Sequence, residues 1–106
     1  MKIGSISPAL AYERMQKDRS VELIDVRERW EHEYARIPGA TLIPLDTIMT
    51  VAGTLSPDKE YIVYCHHGYR SYHACKLMAR AGLRVVNLSG GIDLWAKTVD
   101  SNLPLY

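Results

Sequence analysis

The residues best equipped for chemistry lie together in Cys65-His66-His67-Gly68-Tyr69-Arg70-Ser71. An apolar run delivers the cysteine, a short loop with one glycine follows, and a helical pattern begins near Arg70-Ser71. Such a loop curls so that several backbone N–H groups converge on the sulfur as an anion nest. The helix N-terminus adds positive partial charge. Both influences favour thiolate over thiol, and the thiolate is the nucleophile. His66, His67 and Arg70 place further cationic groups close by. A free cysteine is more commonly a buried structural residue, and Cys75, on an apolar helical stripe, keeps that reading. Cys65 differs by its place at a strand end, with glycine and arginine spaced behind it.

Two other groupings compete for attention. Cys65, His66, His67, His73 and Cys75 are close in sequence, which raises zinc. No C-x-x-C pair occurs, and His73 and Cys75, two apart on a helix, point to nearly opposite sides, so no metal or cofactor is expected. Asp25-Val26-Arg27-Glu28 follows an apolar run. Asp25 and Arg27 are either an exposed ion pair or a brace for the neighbouring loop, with Asp25 accepting from loop N–H groups or from Arg70. His32, in a charged segment, reads as a solvated surface residue.

Positioning these groups takes strands and helices in alternation. Lys2 to Ile6 suits a short strand, and Ser7-Pro8 reads as an N-cap with proline at the first helical position, opening a helix to about Lys17. Val21 to Val26 suits a strand buried on both faces. Glu28 to Tyr34 is charged and suits a short exposed helix. Ile37-Pro38-Gly39-Ala40 is a turn, Thr41 to Ile43 a short strand, and Pro44 to Val51 a short helix ended by Gly53. Tyr61 to Tyr64 is the clearest strand. Ala74, Cys75, Leu77, Met78 and Ala81 form one stripe of a helix that Gly82 caps. Leu83 to Leu88 is a last strand, Gly90-Gly91 a turn, and Ile92 to Thr98 a short helix. The alternation predicts an α/β domain with a mostly parallel central β-sheet and helices on both faces. Ligands of such sheets bind beyond the carboxyl ends of the strands, where Asp25 to Arg27 and Cys65 to Ser71 both fall.

Composition agrees. The chain has 106 residues, enough for one domain. It is 47% hydrophobic and 24% charged, which excludes a disordered chain. Thirteen basic against twelve acidic residues give a net charge of +1, against the basic excess of a nucleic-acid or anionic-membrane binder. No apolar run approaches the ~20 residues of a membrane span, and Met1 to Ser5 lacks a signal-peptide core. A cytoplasmic protein with both cysteines as thiols is expected.

The same residues resemble the rhodanese family of sulfurtransferases. Cys65 to Ser71 is similar to its active-site pattern C-x-x-G-x-R-S, and Leu23 to Glu28 to its strand-end D-V-R-E segment. Ile37 to Ala40 resembles its H-I-P-G-A turn, and Asn87 to Ile92 with Trp95 its G-G-hydrophobic-x-x-W ending. Leu103 to Tyr106 resembles its tail. The motifs occur in family order, so residues 1–106 read as a single rhodanese-like domain. Before Ile37 the family often has Gly-His where this chain has Ala35-Arg36.

The resemblance implies a double displacement. Cys65 takes the outer sulfur of a small donor such as thiosulfate, and a persulfide passes it to a thiophilic acceptor: cyanide, a small thiol or a sulfur-carrier protein. Backbone groups of His66 through Ser71 would form the cradle, with His67, Tyr69 and Arg70 facing the substrate. A cysteine phosphatase or arsenate reductase uses similar logic with a C-x5-R loop, whereas four residues separate Cys65 from Arg70 here. A silent interaction module is the other alternative, which the presence of Cys65 disfavours.

Overall fold

Five strands and five helices alternate: β1 (Ser5–Ile6), α1 (Pro8–Lys17), β2 (Val21–Asp25), α2 (Arg29–Tyr34), β3 (Thr41–Leu42), α3 (Ile48–Val51), β4 (Glu60–Tyr64), α4 (Tyr69–Arg80), β5 (Arg84–Leu88) and α5 (Gly91–Thr98). The structure is a computed structural model and describes residues 2–106. One-turn 3-10 segments, Leu45–Thr47 and Ala52–Thr54, flank α3. The strands form one parallel sheet in the order β1-β5-β4-β2-β3. Central β4 pairs Glu60 to Tyr64 with Val21 to Asp25 of β2, and Glu60 to Val63 with Arg84 to Asn87 of β5. Parallel neighbours need crossovers, and the helices supply them while covering both faces.

Alternation along β4 and its end divides the core in two. Tyr61, Val63 and Cys65 pack with Ile24, Ile48, Ala74, Cys75 and Met78, on the face covered by α3 and α4. Ile62 and Tyr64 pack with Ala11, Leu88, Ile92 and Trp95, on the face covered by α1 and α5. Each large apolar side chain buried this way contributes roughly 1.5–3 kcal/mol. Cys75 belongs to the first core, and its burial pushes the thiol up to about 12.

Local signals fix most boundaries. Ser7 Oγ accepts the Leu10 N–H at 3.3 Å with Pro8 at the first helical position. Gly82, at φ +89°, follows the end of α4. Three expectations need correction. β1 is shorter than Lys2 to Ile6, because only Ser5 and Ile6 pair with β5. Helix α4 starts at Tyr69, ahead of Arg70-Ser71, because Gly68 at φ +109° already makes the turn. Helix α2 is not simply exposed: Glu31 on its inner face is buried.

Candidate active site

Cys65 follows the carboxyl end of β4 and is buried at the floor of its loop. The Gly68 N–H donates to Cys65 Sγ at 3.1 Å and the Ser71 N–H at 3.4 Å, with Ser71 Oγ also 3.4 Å away. The left-handed backbone of Gly68 aims its N–H back at the sulfur. Asn87 of β5 ties both sides of this turn. Its Oδ1 accepts from Ser71 Oγ at 2.5 Å, and its Nδ2 donates to the Gly68 carbonyl at 3.1 Å.

The start of α5 supports the loop from below. The Ile92 N–H donates to the Cys65 carbonyl at 3.0 Å, and the Asp93 N–H to the His66 carbonyl at 3.1 Å. Gly91, at φ +61°, permits this approach, since a Cβ there would run into the backbone of Cys65 and His66.

Arg70, partly exposed, forks onto Glu31, with nitrogen–oxygen distances of 2.6 and 2.9 Å. Glu31 also accepts from the Glu28 N–H at 3.0 Å and from Tyr106 Oη at 2.7 Å. Burial alone would raise this carboxyl, but Arg70, the Glu28 N–H and Tyr106 outweigh it and hold it at about 2. Glu31, not Asp25, is thus the acceptor for Arg70. The sequence gives one hint, the spacing of Glu28 and Glu31 as a capping box.

Asp25 and Arg27 form a fully buried pair rather than an exposed one. Asp25 Oδ1 accepts from Arg27 N at 3.0 Å and Nε at 2.9 Å, while Oδ2 accepts from Arg27 Nη2 at 2.7 Å and Tyr64 Oη at 3.0 Å. Burial works to raise the Asp25 carboxyl, and the bonds from Arg27 and His32 overcome it and hold it below the usual range. Arg27 also donates to the Ala35 carbonyl and to Tyr106 Oη, the latter at 2.7 Å. Ala35, one of the two departures from the family turn, is buried against this guanidinium. His32 is no solvated surface residue: its side chain is 16% exposed and Nδ1 lies 2.9 Å from Asp25 Oδ2.

The rim is aromatic. Tyr69 is 85% exposed, and His67 borders an open groove of about 460 Å³ shared with Tyr69, Tyr72 and Asn87. His66 lies flat between two rings, 4.0 Å from His67 and 3.9 Å from Tyr106. Burial first, and then His67, push its pKa down and favour the neutral ring. Of the metal ligands considered from sequence, His66 and His67 come together with Asp93, with one ligand atom of each within 4.8 Å of the others. The two rings stack with planes 24° apart, and Asp93 already pairs with Lys97 at 2.9 Å.

This arrangement aims two backbone N–H groups at one sulfur atom, and it matches known proteins over the same span. Residues 7–98 match the Rhodanese-like domain family. A Bacillus subtilis protein named "Putative sulfurtransferase YtwF" is 39% identical, covering 90% of this chain and 92% of its own. A protein of Allochromatium vinosum named "Sulfurtransferase" is 35% identical, covering 90% of each. The crystal structure of a rhodanese-related protein from Thermoplasma volcanium superposes with a TM-score of 0.84 at 31% identity, over 97% of this chain and 99% of that one. The parallel sheet, the Cys65 loop at its carboxyl edge and this agreement along the chain together make the protein a member of the rhodanese-like domain family.

Proposed function

We propose that this sulfurtransferase-family domain moves a sulfane sulfur from a donor such as thiosulfate to cyanide or a thiol through a persulfide on Cys65. The observation that carries the reading is the convergence of the Gly68 and Ser71 N–H groups on Cys65 Sγ. The Cys65 thiolate attacks the outer sulfur of thiosulfate. The new S–S bond forms as the donor's S–S bond breaks, and sulfite departs with that electron pair. The negative charge passes to the terminal persulfide sulfur, within the same donors' field. Cyanide then attacks that sulfur, thiocyanate leaves, and the thiolate is restored.

The backbone of His66 through Ser71 lines the cradle, and Arg70 is held in place by Glu31. His67 and Tyr69 stand at the entrance, where an acceptor approaches. A protein acceptor fits the open groove beside them. One similar chain, 35% identical and from Bacillus subtilis, is named "Putative sulfur carrier protein YrkF". No described helix is long and apolar enough to cross a membrane. We place the reaction in the cytoplasm, whose reducing conditions keep both free cysteines as thiols.

Intact mass after incubation with thiosulfate tests the reading. The chain should gain one sulfur atom, lose it on adding cyanide, and gain none as Cys65→Ser. Sulfur gained equally by Cys65→Ser would overturn it.

A further inference from the structure

We propose that Tyr106 is a positioning residue for the reactive loop, holding it at both shoulders. Four observations converge on this side chain. Its ring stacks on His66, the residue next to Cys65, with centroids 3.9 Å apart and planes within 3°. Its hydroxyl donates at 2.7 Å to Glu31 Oε2, and Glu31 in turn grips Arg70 at the far end of the loop. The same hydroxyl accepts from Arg27 Nη1 at 2.7 Å, which anchors it to the buried Asp25–Arg27 pair. Trp30 and Tyr34 of α2 meet the ring edge-on, 6.0 and 5.8 Å away, and fix its tilt.

No hydrogen bond or ion pair among the described residues joins Asp25 or Arg27 directly to the Cys65–Ser71 loop. Tyr64 ties Asp25 to the strand end before Cys65, and Tyr106 ties Arg27 to His66 and to the Glu31–Arg70 pair, so part of the brace expected of the strand-end pair runs through the segment after α5. Burial, and then the Glu31 carboxylate, raise the phenol to about 12 against the pull of Arg27, which keeps the hydroxyl a donor at neutral pH. Glu31 thus receives the Tyr106 hydroxyl on Oε2 while both its oxygens face Arg70.

The consequence is geometric. With the ring absent, His66 loses its flat neighbour and Glu31 loses one of its fixed donors. The loop then drifts from the conformation in which Gly68 and Ser71 point at Cys65 Sγ. Small misplacements at a reacting atom cost up to ~100-fold in rate. The effect falls on kcat, because the groups displaced are those that stabilise the developing persulfide charge.

The test compares Tyr106→Phe and Tyr106→Ala in the full chain. Tyr106→Ala should lower kcat for thiosulfate-to-cyanide transfer by roughly tenfold or more, with KM changed less than about threefold. Tyr106→Phe keeps the stack and should fall only several-fold. The His66 ring-proton resonances, shifted by the stacked phenol, should move in Tyr106→Ala and stay in Tyr106→Phe. Iodoacetamide, applied at a pH well above the ordinary thiol range so that ionisation no longer differs between the proteins, should alkylate Cys65 faster in Tyr106→Ala while Cys75 stays protected, which marks a local loosening.

Wild-type kcat and unmoved His66 signals in a folded Tyr106→Ala would overturn the proposal. So would a loss of kcat matched by equal exposure of Cys75, since that is global unfolding. The kinetic arm rests on the sulfur-transfer reading. If the wild type gains no sulfur, that reading falls, and the His66 and alkylation arms still decide the role of Tyr106.

Discussion

Glu31 and Arg70 meet as a two-pronged ion pair, with distances of 2.6 and 2.9 Å, although they lie 39 positions apart in sequence. The pair cancels the charge that Arg70 was expected to offer an anionic donor. It leaves Arg70 a geometric task, fixing the first turn of α4 over Cys65. A planar fork can do this and a point charge cannot. Arg70→Lys should therefore lose about tenfold or more in kcat/KM, close to the loss in Arg70→Ala. Steady-state kinetics on both variants check this. Full activity in Arg70→Lys would show that charge alone matters.

The same carboxylate sets the acid limit of the fold. Glu31 is held at about 2 in the native chain against an ordinary 4.5, because Arg70, Glu28 N–H and Tyr106 together outweigh the effect of burial. Asp25 is shifted in the same direction by Arg27 and His32. In both cases the unfolded chain binds the proton first. The stability they provide is complete above about pH 4.5 and drains away as pH falls toward about 2. Urea midpoints measured across this window should fall with pH, and Glu31→Gln should flatten the fall. A midpoint as high at pH 3 as at pH 6 would remove the argument.

Arg27 is costly to cut. It is fully buried, and Asp25 depends on it for three of its hydrogen bonds. One of these is the backbone N–H, which a methionine keeps. Arg27→Met leaves the Asp25 carboxylate buried without its counter-charge, a loss of about 3–5 kcal/mol. Asp25→Asn combined with Arg27→Met should cost less than the sum of the single changes. Equilibrium urea unfolding of the four proteins closes the cycle, and strict additivity would mean the pair is not coupled.

The Cys65 loop was readable because its parts are contiguous: the strand end, the glycine that turns and the helix that follows lie within Cys65 to Ser71. The parallel sheet was readable from short apolar runs separated by helical stripes. The contacts that join distant segments were not readable. Arg27 and Tyr106 are 79 residues apart, Arg70 and Glu31 39 apart, and Ser71 and Asn87 16 apart. Nothing local marks such partners, because a charged residue on a short helix looks solvated until the sheet brings a counter-charge to it. His32 illustrates the point: its charged neighbours in sequence suggest solvent, while folding turns its ring onto Asp25.

Two glycines with left-handed backbones separate a cost in stability from a cost in function. Gly82 stands at φ +89° with nothing near the position of an added Cβ. Gly82→Ala should lose about 1–2 kcal/mol from backbone strain alone, with sulfur transfer unchanged in the folded protein. Gly91 stands at φ +61°, and its added Cβ would strike the backbone of Cys65 and His66. Something has to shift there, and the atoms struck are the Cys65 and His66 carbonyls at the start of the reactive loop. Gly91→Ala should thus push Cys65 away from the Gly68 and Ser71 donors and weaken the support from the Ile92 and Asp93 N–H groups. A comparable or larger loss of stability should accompany a fall in kcat of roughly tenfold or more, measured well below the unfolding temperature. If Gly91→Ala retained full kcat, the close approach of α5 would be a matter of packing and not of how the reactive loop is held.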